Sequence, residues 1–325
     1  MTKHIYVTRQ LPQEAIRPFQ EAGFYVEMWG SEESPIPRER LLEVAKTADG
    51  LVTMLSDQLD AEFFQQAGDQ LKVVANLAVG YDNIDVKTAK ERGILICHTP
   101  DVLSEATADL AFSLVLATMR RIVESADLIR NNKWTSWSPL LMAGSEVYGS
   151  TMGIVGMGSI GTGVAKRAKG FSMNVLYHNR SRKPAVEQEL GVEYASFKDL
   201  LQKSDVIVCL TPYTKETHRL FDAQAFQLMK KTAHFVNVSR GAVVDEQALV
   251  KALQTEEIAG AGLDVFEKEP VTADHPLLQF PQVTALPHIG SASIQTRYTM
   301  MELCLNNIAC VLKGEKAKTP IPEMR

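Results

Sequence analysis

An arginine, a glutamate and a histidine follow one another in the second half of this chain, each in a setting suited to chemistry. They are Arg240 in Asn237-Val238-Ser239-Arg240-Gly241, Glu269 in Glu267-Lys268-Glu269-Pro270, and His288 in Pro287-His288-Ile289-Gly290. A planar guanidinium can hold a carboxylate through two parallel hydrogen bonds. An imidazole can hand over a proton near neutral pH, and a carboxylate beside it favours the charged ring. Upstream lies Gly156-Met157-Gly158-Ser159-Ile160-Gly161, between an apolar run and a helical pattern over 163–169. That context fits a dinucleotide fingerprint: Gly156 for the tight turn, Gly158 for backbone approach to a pyrophosphate, Gly161 for helix–strand packing. The amides of Ser159 and Ile160 would then face the phosphates at a helix N-terminus. Together these groups supply what reduction of a 2-keto acid needs, with hydride from a nicotinamide and orientation from the protein.

The choice of dinucleotide is legible one strand later. An NAD enzyme usually places Asp or Glu about 20 residues past the glycine loop, on the ribose hydroxyls. Here the sequence is Leu176-Tyr177-His178-Asn179-Arg180-Ser181-Arg182-Lys183, with no carboxylate. Asn179, Arg180, Ser181 and Arg182 would receive a 2′-phosphate. NADPH is therefore expected ahead of NADH, roughly ten- to hundredfold if one charge-assisted contact contributes about 1.5–3 kcal/mol.

Elements must bring these residues together. Short apolar runs alternate with helical patterns along the chain, the signature of parallel sheets wrapped by helices. Strands are expected at 5–8, 51–55, 73–77 and 94–97, then in a second series at 153–155, 174–177, 205–210, 234–238, 260–263 and 283–286. Six strands is the count of a dinucleotide-binding domain. Ser196 stands three residues before Asp199 and Asp245 before an apolar helical pattern, both helix starts. Long helical patterns over 104–130 and 294–312 bracket the second series.

Composition narrows the class. With 325 residues the chain suits two domains. Its 45% hydrophobic and 22% charged content is globular, and a net charge of −5 without a basic run argues against nucleic acid. The longest apolar stretch, 110–119, is too short for a bilayer, and the first residues enter a strand pattern with no signal-peptide core. Cys97, Cys209, Cys304 and Cys310 form no CxxC pair, so reduced thiols in a cytoplasmic protein without a metal site are expected.

The motifs above, with Val79-Gly80-Tyr81-Asp82-Asn83-Ile84-Asp85, Ser104-Glu105-Ala106-Thr107-Ala108 and Trp134-Thr135-Ser136-Trp137-Ser138-Pro139, resemble the D-2-hydroxyacid dehydrogenase family over essentially the whole length. The likeness is greatest to its glyoxylate/hydroxypyruvate reductase branch. The resemblance implies two Rossmann-like doubly wound α/β domains, a cofactor domain (101–286) inserted into a flavodoxin-like substrate-binding domain (1–100 and 287–325). It implies Glu269, rather than its rival Glu267, as partner of His288, and Asp264 near the nicotinamide amide. Thr107, Leu210, Thr211, Pro212, Val238, Ser239 and Gly290 would line the cofactor, together with Arg240 and His288. Leu55, Val79, Gly80, Ser291 and Arg297 would surround the substrate. Trp137 would reach a neighbouring subunit's site in a homodimer. Glyoxylate and hydroxypyruvate are the expected substrates, giving glycolate and D-glycerate. 2-Keto-D-gluconate is the alternative substrate, and a dinucleotide-sensing corepressor the alternative of another class; the short end at 319–325 weighs against the latter.

Overall fold

Parallel strands buried on both faces are unbroken apolar runs rather than alternating ones, and most strands here have that character. The computed structural model describes residues 2–325. The chain up to Leu103 joins Ser293–Arg325 in one compact unit, and Ser104–Ala292 forms another.

The first unit is built on β1 (His4–Val7), α1 (Gln13–Glu21), β2 (Tyr25–Met28), α2 (Arg38–Ala45), β3 (Gly50–Thr53), α3 (Ala61–Gln66), β4 (Val73–Asn76), α4 (Val86–Glu91) and β5 (Leu95–Cys97). Its five strands are all parallel, in the order β2-β1-β3-β4-β5. Four strands were expected. The added one, β2, is an edge strand with only Val26 buried, so its sequence carries no apolar run.

The second unit comprises α5 (Ser104–Met119), α6 (Ile122–Arg130), β6 (Thr151–Val155), α7 (Ser159–Gly170), β7 (Asn174–His178), α8 (Pro184–Leu190), β8 (Glu193–Tyr194), α9 (Phe197–Lys203), β9 (Val206–Cys209), α10 (Ala223–Leu228), β10 (His234–Asn237), α11 (Glu246–Gln254), β11 (Gly260–Leu263) and β12 (Val283–Ala285). Its sheet has seven parallel strands, ordered β12-β11-β10-β9-β6-β7-β8. The strand beyond the expected six is β8, two exposed residues with no periodicity to detect. Ser196 caps α9 and Asp245 caps α11, each accepting backbone N–H bonds.

The pattern over 104–130 is two helices, not one. Arg121 takes a left-handed conformation (φ 52°) between α5 and α6. The Met119 carbonyl that ends α5 accepts the Ser145 N–H at 2.8 Å. A Cβ on Gly144 would stand 2.2 Å from that oxygen, so the returning chain needs glycine there. Buried α5 and exposed α6 share one helical period, and periodicity alone merges them.

A final helix, α12 (Ile294–Leu312), returns to the first unit, where a Cβ on Gly50 would meet Ile308 at 2.5 Å. Among the described residues no helix is long and apolar enough to cross a membrane. The boundary expected at 287 lies instead at 293, because residues 288–290 are tied to the second sheet by bonds given below.

Candidate active site

In open α/β sheets ligands gather at the carboxyl ends of the strands, where the strand order reverses. The second sheet reverses at β6, which lies between β7 and β9, and the glycine loop leaves its carboxyl end. Gly156 has φ 108°, and a Cβ there would lie 2.7 Å from the backbone of Leu210 and Thr211. A Cβ on Gly161 would lie 2.3 Å from the Gly156 carbonyl oxygen. At Gly158, which caps α7, an added Cβ would meet nothing. The loop is thus closed behind and open in front at the start of a 12-residue helix, a cradle that fits a dinucleotide pyrophosphate. A Cβ on Gly290 would stand 3.2, 3.3 and 3.6 Å from Asp264, Thr107 and Val238, so four of the expected cofactor-lining residues lie together.

The turn after β7 is more constrained than its sequence suggests. Asn179 Oδ1 accepts the Met157 N–H at 2.7 Å, so this side chain braces the glycine loop. Arg180 and Ser181 are exposed. Arg182 is held by Glu187 of α8 through two bonds, of 3.1 and 2.5 Å.

The three chemical residues follow three neighbouring strands. Arg240 lies just past β10, where buried Asn237 accepts the Ser239 N–H and donates to the Arg240 carbonyl, both at 3.0 Å. Gly241 lets this turn meet the next loop: a Cβ would fall 1.8 Å from the Phe266 carbonyl carbon. That loop, past β11, carries Glu269, whose Oε1 accepts the Phe266 N–H at 3.0 Å. Its Oε2 lies 2.7 Å from His288 Nδ1. The rival Glu267 faces Arg219 instead, at 3.5 Å. The remaining proline-linked histidine, His275, pairs with Glu246 and accepts the Leu277 N–H, a structural arrangement.

His288 follows β12 with φ 55°, a strained setting for a residue with a side chain. Asp264 holds it there. The Asp264 carbonyl accepts the His288 N–H at 2.9 Å, while its carboxylate accepts the N–H groups of Ile289 and Gly290 at 2.7 and 2.8 Å. Burial pushes the Asp264 carboxyl up, against these bonds and the nearby His288. Burial acts the same way on Glu269, yet its bond to His288, the Phe266 N–H and the charge of Arg240 hold that carboxyl below its usual range. Glu269 is therefore an anion beside the imidazole.

Residues expected around a substrate from the first unit leave its sheet at the carboxyl edge. Leu55 follows β3, and Val79 and Gly80 follow β4. The Val79 carbonyl is 2.9 Å from His98 Nδ1 and the Gly80 carbonyl accepts Asn76 Nδ2 at 3.0 Å. Asn76 also bonds Thr53 and Asn83, and Asn83 reaches the Met54 and Asp57 carbonyls. Arg297 lies on α12, Ser291 in the stretch before it, and Trp137 in the exposed segment after α6, 75% accessible. Asn237, Gly241, Asn76, Asn83 and Glu187 escape a reading of the sequence, because each acts through a bond or close approach that only the folded backbone creates. An Asn at the end of a strand before a turn was the one available signal.

The chain matches the family described as "D-isomer specific 2-hydroxyacid dehydrogenase, NAD binding domain" over residues 112–290. It is 48% identical over 319 residues to a glyoxylate reductase of Pyrococcus horikoshii, covering 97% of this chain and 94% of that one. This chain belongs to the D-isomer specific 2-hydroxyacid dehydrogenase family. It is an oxidoreductase that uses a nicotinamide dinucleotide. Among solved structures, a glyoxylate reductase from Paecilomyes thermophila superimposes with a TM-score of 0.88 at 31% identity, covering 100% of this chain and 99% of that one. An NADPH-dependent glyoxylate/hydroxypyruvate reductase from Sinorhizobium meliloti, in complex with NADP and malonate, gives 0.85 at 31% identity, covering 100% and 98%.

Proposed function

We propose that this member of the family reduces glyoxylate and hydroxypyruvate to glycolate and D-glycerate, with NADPH preferred over NADH. The observation that carries the reading is the 2.7 Å bond between His288 and anionic Glu269, one loop from Arg240 and at the same sheet edge as the glycine loop. Arg240 offers its fork to the substrate carboxylate. Glu269 occupies Nδ1 of His288, leaving Nε2 to give its proton to the substrate carbonyl oxygen. A reduced nicotinamide, when bound, supplies the hydride to the carbonyl carbon. Val79 and Gly80 are assigned to the substrate carboxylate, their loop held by Asn76 and Asn83.

The named relatives support glyoxylate ahead of 2-keto-D-gluconate, and an assembled acid-and-cation site gives no reason to favour a corepressor. In this reading Ser104–Ala292 is the dinucleotide-binding unit. Initial rates of NADPH and NADH oxidation with glyoxylate, hydroxypyruvate and 2-ketogluconate test the ranking. Equal kcat/KM for the two cofactors would overturn the preference.

The reading includes a homodimer. Residues 122–148 expose Ile129, Trp134, Trp137, Leu140 and Tyr148, more large apolar side chains than a solvated surface segment ordinarily carries. Trp137 is assigned to the partner's site. Light scattering should give twice the mass of one chain, and Ile129→Asp with Leu140→Asp should halve it. A wild-type monomer would contradict this.

A further inference from the structure

Glu187, in the first turn of α8, faces the cationic turn that follows β7. Its oxygens take Nε and a terminal nitrogen of Arg182 at 3.1 and 2.5 Å, a two-point fork. Oε1 also accepts the Tyr177 hydroxyl at 2.6 Å. Tyr177 is fully buried, and its hydroxyl accepts the Lys183 N–H at 2.6 Å, fastening the far end of the turn. The Arg182 guanidinium lies 5.7 Å from the centre of the Tyr194 ring. The bonds from Arg182 and Tyr177 hold the Glu187 carboxyl below its usual range, so it is anionic. Arg180 differs: it is exposed, and it attracts the Glu216 carboxylate through space.

We infer that Glu187 sets the cofactor preference by withholding Arg182 from the 2′-phosphate, which leaves Arg180 as the cation that binds it. The inference rests on the proposal that this turn receives a 2′-phosphate. In a bidentate pair the parallel N–H groups of the guanidinium are filled and its charge is offset. A phosphate arriving at Arg182 must displace Glu187 or sit against its charge. At Arg180 no carboxylate fork has to be displaced: Glu216 acts on it only through space. The turn therefore holds two arginines but presents one to a phosphate.

The test is calorimetric, with adenosine 2′,5′-bisphosphate and 5′-AMP as probes. Glu187→Gln keeps an oxygen for the Tyr177 hydroxyl and removes the charge. Its Kd for the bisphosphate should fall about three- to tenfold, while that for AMP stays unchanged. The gain should vanish in the Glu187→Gln/Arg182→Ala double variant, because it works through Arg182. An unchanged or weaker bisphosphate affinity in Glu187→Gln, or an equal change for both probes, would overturn the inference. Failure of the underlying proposal looks different: wild-type protein would hold both probes equally, and Arg180→Ala would alter neither.

Discussion

Replacing Arg240 by alanine removes a two-point, charge-assisted contact with the substrate carboxylate, and kcat/KM should fall about 10²- to 10³-fold. Arg240→Lys should recover only part of this, since an ammonium keeps the charge and loses the fork. Steady-state kinetics with glyoxylate check both; an unaltered KM in the alanine variant would remove Arg240 from substrate binding. Glu269 makes a different prediction. Its carboxyl is held below the usual range, so its negative charge persists across working pH. Glu269→Gln keeps the shape of the side chain and removes the charge that faces Nδ1 of His288. The kcat for glyoxylate reduction should fall about 10- to 100-fold with KM little changed. A kcat equal to that of the wild type would mean that the charge of Glu269 plays no part in the reaction. At this scale the chemical groups were legible, because Arg240, Glu269 and His288 carry their functional atoms on their own side chains. Their supports were not: Asn237 and Asp264 act through backbone bonds that no spacing reveals.

Loops carry the site, and their close approaches are the point of failure. A Cβ at Gly241 would fall 1.8 Å from the Phe266 carbonyl carbon, so Gly241→Ala must push the Glu269 loop away from the Arg240 turn. Activity should fall at least about tenfold, with destabilisation of about 1–3 kcal/mol from the forced backbone shift. Parallel kcat and urea measurements decide this; a fully active variant would mean that the two loops are not coupled. The glycine loop could be read from sequence because its spacing falls between an apolar run and a helical pattern, and Gly156 and Gly161 each answer a close backbone contact. The turn after β7 could be read only as a row of cations. Its ion pair with Glu187 needs α8 folded back beside β7. The marginal strands β2 and β8 were missed because they bury little, and the α5–α6 break because it depends on Gly144 meeting Met119.

Two parallel sheets, and one chain crossing between compact units, account for the whole molecule. That architecture was legible because sheets buried on both faces require apolar runs. The return point at 293 was not, since bonds to Asp264 decide it. Stability of the larger unit should depend on His234 at the start of β10. Burial moves its imidazole from the usual 6.5 to about 4, and its Nδ1 has no hydrogen-bond partner. The unfolded chain gains a proton as pH falls through 6.5, whereas the folded chain gains it only near 4. The contribution is therefore complete above 6.5 and lost on acidification across that window, about 2 kcal/mol by about pH 5. The drop in urea midpoint between neutral and mildly acidic buffer should shrink in His234→Gln; an identical drop would contradict it.

The central claim is that this site reduces a 2-keto acid, with a proton given by His288. The most direct measurement is the initial rate of NADPH oxidation with glyoxylate, for wild-type protein beside His288→Ala. Turnover by the wild type, reduced about 10²- to 10⁴-fold in the variant with dinucleotide affinity unchanged, is the expected result. Absence of turnover by a wild-type protein that binds the dinucleotide tightly, or equal rates for the two proteins, would contradict it.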